Sequence, residues 1–185
     1  MQAGFVDRNA VESDIDIPAD MLPALRSDHA GETGAVCIYA GILALSRDSA
    51  VREFARRHQA TEQSHLRIME RILPRRQRSR LLPLWRLAGW LTGALPALFG
   101  RSAVFRTVDA VESFVDGHYQ QQIDALRQLP RYRALRDVLQ SCREDELQHR
   151  DEARERLRAP GLVGRIWIAL VGAGSRVGVY LASRV

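Results

Sequence analysis

The stretch Ser141-Cys142-Arg143-Glu144-Asp145-Glu146-Leu147-Gln148-His149-Arg150 contains no Gly or Pro and consists largely of good helix formers. In a helix, Glu146 and His149 are three residues apart and lie one turn apart on the same face. A carboxylate and an imidazole placed in this way can bind one metal ion. The same Glu-x-x-His pattern occurs once more, at Glu62 and His65. Helical bundles that hold two metal ions combine two such pairs with one Glu from each of two other helices.

Two further glutamates meet that requirement. Glu32 and Glu112 each interrupt the apolar stripe of a predicted helix, so each is expected on a buried face. A short turn joins each of these helices to a Glu-x-x-His helix, which makes the two antiparallel neighbours. With a rise of ~1.5 Å per residue, the two carboxylates of each hairpin come within about 3 Å of the same height. The four predicted helices are Met21–Leu45, Ala50–Leu73, Ala103–Leu129 and Tyr132–Leu157.

Each of these residues alone has an ordinary explanation, because a helical Glu is usually solvated. Four buried carboxylates without a metal would repel one another and would be costly to desolvate, and two divalent cations remove both problems. A carboxylate-rich set favours iron or manganese over structural zinc. The sequence therefore predicts a dinuclear site in which Glu62 and Glu146 bridge the ions. The remaining ligands pair as Glu32 with His65 and Glu112 with His149.

Three more side chains near the predicted ligands are candidates for a catalytic role. Tyr39 and Tyr119 each follow a ligand Glu by two turns on the same face, where they can line a cavity, donate protons or simply pack. His118 precedes Tyr119 and is either a site residue or an exposed one. His29 lies on the first helix and its role is open.

Length and composition indicate one intracellular domain. The 185 residues suffice for a single core, which we place at residues 20–185 after a polar, mobile leader at residues 1–19. Cys37 and Cys142 form neither a metal spacing nor a disulfide framework, as expected in a reducing compartment. The acidic N-terminus resembles neither a secretory signal nor a transit peptide. A net charge of +5 and a pI near 10.0 favour an anionic partner, either lipid or nucleic acid.

Two apolar segments remain outside the four predicted bundle helices. Residues 81–99 form a long crossover that contains Trp85 and Trp90, and residues 162–182 form a C-terminal helix. An Arg cluster precedes the crossover, and cationic residues beside a Trp-bearing apolar helix are typical of a membrane interface. We therefore predict that residues 75–99 and 162–182 contact an anionic membrane surface. The alternative is that both segments pack on the bundle. The cluster consists of Arg75, Arg76, Arg78 and Arg80.

Several motifs resemble those of the demethoxyubiquinone hydroxylase family, within the ferritin-like superfamily. The opening motif is Asp28-His29-Ala30-Gly31-Glu32-Thr33-Gly34-Ala35, followed by Ile38-Tyr39-Ala40-Gly41. Val111-Glu112 with His118-Tyr119, and the two Glu-x-x-His pairs, match the later motifs. Ile42 departs from the family, in which many members have Gln after the Ala-Gly pair. The resemblance covers the chain from about Met21 to its C-terminus.

This resemblance implies an all-α, ferritin-like four-helix bundle with an apolar crossover helix and an apolar C-terminal helix. It implies a monooxygenase with two iron ions per chain that uses O₂ to hydroxylate the ring of a prenylated quinone precursor in ubiquinone biosynthesis. The six ligands carry over position by position. The electron donor stays open, with NADH as one candidate. The expected location is the cytoplasmic side of a bacterial membrane, bound peripherally, with a second copy or an accessory lipid-binding protein as partner and no nucleic acid.

Two other functions remain open from the residues. A tRNA-hydroxylating di-iron enzyme would explain the excess of Arg but fits the Trp-bearing apolar segments poorly. An iron-storage or ferroxidase protein would use the same ligands without a substrate. A rubrerythrin-like peroxidase would need additional Cys pairs, which this sequence lacks.

Overall fold

The structure, a computed structural model, describes residues 15–185 of the chain. Most of the predicted leader at residues 1–19 therefore lies outside the described residues. In its described part, Ile15 and Ile17 pack against the apolar core. The packed portion of the chain thus begins before residue 20.

Within residues 15–185 the chain forms six α-helices and no strand. The prediction of an all-α bundle with apolar crossover and C-terminal helices is confirmed. The helix ends are also close to those predicted, because Pro and Gly lie near most of the boundaries. The helices are α1 (Leu22–Leu45), α2 (Ser49–Ile72), α3 (Leu82–Leu98), α4 (Arg101–Leu126), α5 (Arg133–Arg154) and α6 (Leu162–Ala182).

The first and third bundle helices begin without a side-chain cap. The N-cap of α1 is Met21, which makes no side-chain hydrogen bond there. Helix α4 begins at Arg101, after Gly100 with a φ of 92°. Asp48 is the N-cap of α2, where its carboxylate accepts a 3.0 Å hydrogen bond from the Val51 amide. A tightly held α1–α2 turn fixes the relative height of the two helices.

The bundle consists of two antiparallel hairpins, α1 with α2 and α4 with α5. Two apolar clusters fill its ends. One contains Leu25, Met69 and Leu139, and the other contains Phe54 and Phe105. All four helices contribute to both clusters, and the predicted ligands lie between them along every helix. A polar layer is therefore enclosed by apolar packing above and below.

The two other helices flank α1. Helix α3 runs parallel to α1 at very short range, and glycines make this approach possible. A Cβ added at Gly93 would collide with the Ile38 backbone, and one added at Gly89 would collide with that of Gly34. Helix α6 lies against α4 and α1, where Trp167 donates a 2.7 Å hydrogen bond from Nε1 to Thr107 Oγ1.

Candidate metal centre

The six predicted ligands converge at the centre of the bundle. Their side chains come from all four bundle helices and point into the layer between the two apolar clusters. Each residue is at most 4% exposed. Burial at this level is exceptional for Glu, which is normally buried only when it is paired or bound to a metal. The residues are Glu32, Glu62, His65, Glu112, Glu146 and His149.

These side chains form two groups, and either group could hold a metal ion. In each group, one candidate ligand atom per residue lies within 4.8 Å of those of the others. Glu62 and Glu146 belong to both groups, so the two candidate sites share two carboxylates. The first group is Glu32, Glu62, His65 and Glu146, and the second is Glu62, Glu112, Glu146 and His149.

The arrangement of donor atoms fits cations better than internal hydrogen bonding. His149 Nδ1 lies 3.0 Å from Glu62 Oε1 and 3.1 Å from Glu146 Oε2, yet neither contact has the direction of a hydrogen bond. Glu32 Oε2 is likewise buried without a hydrogen bond. Unpaired buried carboxylate and imidazole atoms are costly unless a cation binds them. The set of four carboxylates and two imidazoles suits iron or manganese.

The carboxylates perturb one another strongly. Burial, followed by the negative charge of Glu146, raises the pKa of Glu62 to about 8. The pKa of Glu112 is also raised, again by burial first and then by the charges of Glu146 and Glu62. Like charges held in a dry site oppose the ionisation of one another. Divalent cations at the same place would favour the ionised form of every carboxylate.

The imidazoles supply the positive charge that the metal-free cluster needs. Burial alone would lower the pKa of His149, but the carboxylates of Glu146 and Glu62 outweigh it and raise the pKa to about 10. Burial likewise opposes ionisation of Glu146, and contacts with His149 and His65 lower its pKa to about 2. Protonated histidines thus neutralise the centre without metal. Metal binding must displace those protons, because a ligating His is neutral.

Tyr39 and Tyr119 contact the ligands across the two hairpins. Tyr39 on α1 donates a hydrogen bond to Glu112 on α4, with 3.3 Å between the oxygens. Tyr119 on α4 donates a 2.6 Å hydrogen bond to Glu32 on α1. The pKa of each phenol is raised, by burial first and then by the negative charge of the carboxylate that accepts its hydrogen bond. Both tyrosines therefore stay protonated and orient a carboxylate.

The surroundings of the two histidine ligands differ. His65 Nε2 lies 3.0 Å from Asp145 Oδ2, a carboxylate–imidazole contact of the kind that orients ligating histidines. His149 instead packs edge-on against His58, with 4.0 Å between ring centroids. His58 Nε2 in turn lies 2.9 Å from Glu152 Oε2. Asp145 directly precedes a predicted ligand, but the sequence does not identify it as an acceptor, because its partner lies on another helix.

A cavity of about 440 Å³ reaches the carboxylates from one side of the bundle. Its walls come from α1, α3, α4 and α6, and its polar floor consists of Glu32, Glu62, Glu112 and Glu146. Two lining residues, Ala88 on α3 and Leu170 on α6, are exposed at the surface. The cavity therefore opens between α3 and α6.

The remaining candidates have distinct locations. Tyr119 and His118 line the cavity, whereas Tyr39 lies outside its wall. His118 is not merely exposed, since its Nε2 lies 2.9 Å from Asp28 Oδ1. His29 is 2% exposed, and its two ring nitrogens have no hydrogen-bond partner among the described residues. Burial lowers its pKa to about 4, so it is a neutral core residue.

Comparisons with known proteins relate the chain to one family of enzymes. A family described as "Ubiquinone biosynthesis protein COQ7" matches residues 20–182. The chain is 38% identical over 185 residues to the 3-demethoxyubiquinol 3-hydroxylase of Rhodospirillum rubrum, covering 91% of this chain and 83% of that protein. It is 32% identical over 164 residues to the mitochondrial NADPH-dependent 3-demethoxyubiquinone 3-hydroxylase of Rattus norvegicus, covering 86% of this chain and 76% of that protein. The human protein of the same name is 30% identical over 165 residues, covering 87% of this chain and 76% of its own length.

Proposed function

The chain belongs to the family of ubiquinone biosynthesis protein COQ7, and on this premise we propose that it is a di-iron monooxygenase acting on a quinone ring. The substrate is the ring of a prenylated demethoxyquinone or demethoxyquinol in ubiquinone biosynthesis, as the names of its relatives indicate. The observation that carries the proposal is the cavity that joins four buried carboxylates to the surface between α3 and α6. An iron-storage protein does not need a cavity large enough for an organic molecule beside its metal ions.

The six converging side chains would hold two iron ions, because they form two ligand groups that have Glu62 and Glu146 in common. Bound iron supplies the activation of O₂. Overall, one oxygen atom enters a ring C–H bond, and the other leaves as water after two electrons and two protons are supplied. The protein's own part is to orient the ring over the carboxylates and to exclude water. The tyrosines hold Glu32 and Glu112 in place.

The cavity has the character that a quinone ring needs. Its volume of about 440 Å³ is within the usual range for small-molecule sites. Apolar and small side chains dominate the walls, including Trp85, Trp167 and Gly178. The mouth between α3 and α6 lets an attached prenyl chain leave along the apolar surface. A long substrate tail therefore need not fit inside the bundle.

The outer faces of α3 and α6 suit peripheral contact with a membrane. Large apolar side chains are exposed on both helices, among them Leu87 on α3 at 57% and Leu170 on α6 at 59%. Among the described helices, Leu162–Ala182 has the length and apolar composition to cross a bilayer. Its contacts with α1 and α4 favour a helix lying at the interface instead. We place the enzyme on the cytoplasmic face of a bacterial membrane.

The arginines of the cluster differ from one another in exposure, and so do the two tryptophans of the crossover helix. Arg75, Arg76 and Arg80 are exposed and available to anionic headgroups. Arg78 turns back onto the protein, where it donates to the Glu70 carbonyl at 2.6 Å. Of the two crossover tryptophans, Trp85 lines the cavity, whereas Trp90 is 38% exposed on the outer face.

The reductant we propose is a reduced nicotinamide nucleotide, because the names of the mitochondrial relatives specify NADPH. The test is turnover of a short-chain demethoxyquinone by the iron-loaded protein with ¹⁸O₂ and NADH or NADPH. Mass spectrometry should find one ¹⁸O atom in a hydroxylated ring, and none with Glu62→Ala. Iron mineral without hydroxylated product would favour storage. A modified tRNA nucleoside in its place would favour the RNA-hydroxylating alternative.

A further inference from the structure

A buried polar cluster lies in the cavity wall, apart from the candidate metal ligands. Asp28 on α1 faces His118 and Gln122 on α4. The Asp28 side chain is 1% exposed, and that of His118 is 18% exposed. Asp28, Ser27 and His118 all line the cavity. A carboxylate and an imidazole buried in a cavity wall, with no side-chain partner outside the cluster among residues 15–185, are costly to stability and point to a role in the site.

The hydrogen bonds of the cluster determine which atom of His118 is free. Asp28 Oδ1 accepts from the Gln122 amide at 2.9 Å, and His118 Nε2 lies 2.9 Å from the same oxygen. Ser27 also lies close, with 3.1 Å between its Oγ and His118 Nε2. The Ser27 hydroxyl already donates to the Ala24 carbonyl at 2.7 Å, so it can only accept from the ring.

Both neighbours of Nε2 are therefore acceptors, and Nε2 must carry a proton. Among the described residues, Nδ1 has no hydrogen-bond partner in the protein. Phe114, one helical turn before His118, stacks parallel to its ring with 6.2 Å between centroids. The ring is thus held on one edge by Asp28 and Ser27 and on one face by Phe114. In this fixed orientation, Nδ1 is the ring nitrogen that is available to bind a ligand in the cavity.

We propose that Asp28, supported by Gln122, is a positioning residue that fixes the tautomer and orientation of His118, so that His118 Nδ1 binds a ring oxygen of the substrate. This inference rests on the proposed function, because it assumes that a quinone or quinol ring enters the cavity. A neutral His118 accepts from the hydroxyl of a quinol through Nδ1. A protonated His118 donates from Nδ1–H to the carbonyl of a quinone. One histidine can therefore serve the ring in either oxidation state.

The matching internal position shows that the cluster is not a general feature of the fold. Tyr39 and Tyr119 correspond in the two hairpins, so Ile38 corresponds to His118. Ile38 belongs to an apolar core cluster. Within the part of the chain that the structure describes, the polar cluster occurs where His118 meets α1 and has no counterpart at Ile38. It serves the cavity rather than the packing of the bundle.

The experiment measures the binding of two ligands to the iron-loaded protein under anaerobic conditions without reductant. One ligand is a short-chain demethoxyquinone, followed by quenching of the fluorescence of Trp85 and Trp167 in the cavity wall. The other is the same alkylated ring with hydrogens in place of both ring oxygens, measured by competition. The proteins are wild type, Asp28→Asn and His118→Phe. The matched control is Asp116→Asn, which loses contacts with Arg143 and Arg150 between α4 and α5.

We expect wild type and Asp116→Asn to prefer the quinone by the same ratio. That ratio should fall roughly tenfold in Asp28→Asn and in His118→Phe, as for loss of one hydrogen bond to a buried charged group. If Asp28→Asn weakens the binding of both ligands equally, the ratio stays unchanged. Asp28 would then have only a structural role, and the proposal would be overturned. If wild type binds neither ligand, the proposed function fails together with this inference. If the ratio shifts as expected but no product forms with O₂ and reductant, only the proposed activity fails.

Discussion

Tyr119 donates a 2.6 Å hydrogen bond to Glu32, a candidate ligand that lies 87 positions away in the chain. Tyr39 makes the corresponding contact with Glu112 at 3.3 Å. The tyrosine of each hairpin thus holds the glutamate of the other. These crossed hydrogen bonds join the two hairpins at the centre of the bundle. The geometry of one candidate site therefore depends on the packing of both hairpins.

Replacing Tyr119 with Phe should destabilise the metal-free protein, because Glu32 loses the donor to a fully buried oxygen. The expected loss in unfolding free energy is about 1–3 kcal/mol. Tyr39→Phe is the matched control, and its longer contact predicts a smaller loss. Urea unfolding of both variants measures the difference. A larger effect at Tyr39 would contradict the ranking of the two hydrogen bonds.

Loss of either shared carboxylate should impair both metal sites. Glu62→Ala and Glu146→Ala are each expected to bind far less than the roughly two irons per chain of a dinuclear bundle site. Glu144→Ala on the exposed face of α5 is the control and should bind the wild-type amount. Iron is measured on the purified protein after removal of loosely bound metal. Full occupancy in either Glu62→Ala or Glu146→Ala would exclude the bridging assignment.

The stability of the metal-free protein should fall with acidification partly because of His58. Burial, followed by the nearby His149, lowers the pKa of His58 to about 4. The unfolded chain has the ordinary His pKa, near 6.5, so it binds the proton first and gains stability as pH falls below 6.5. Between pH 7 and pH 5 this one group should cost the folded state about 2 kcal/mol.

The variant His58→Phe isolates that contribution. Glu152 keeps its contacts with Arg57 and Arg156 in this variant. Denaturant unfolding at pH 7 and at pH 5 should therefore show a smaller loss of stability for His58→Phe than for wild type. Identical losses would show that His58 does not take up a proton on unfolding in this range.

Membrane binding should depend on the three exposed arginines before α3. Changing Arg75, Arg76 and Arg80 together to Gln should weaken sedimentation with anionic vesicles, and added salt should weaken the binding of wild type. The matched control changes three exposed arginines elsewhere on the protein, Arg56, Arg67 and Arg133. If the control set weakens binding as much, the surface around α3 is not the contact.

The sequence by itself determined the helices, the duplicated hairpin and the set of candidate ligands. These features are local, because an i, i+3 pair and an apolar stripe both depend on the 3.6-residue period of one helix. The turns were short enough to place the paired carboxylates at similar heights. Glu32 and Glu62 could therefore be grouped without knowledge of the packing.

Only the tertiary structure decided which side chains support those ligands and where a substrate can enter. Asp145 reaches His65, and Asp28 meets His118, across contacts between helices far apart in the chain. The rotation of each helix about its axis sets such contacts, and side-chain packing along the whole bundle sets that rotation. The cavity likewise depends on how α3 and α6 lie against α1 and α4. A periodic pattern within one helix shows which face is buried, but it does not show which residue of another helix that face will meet.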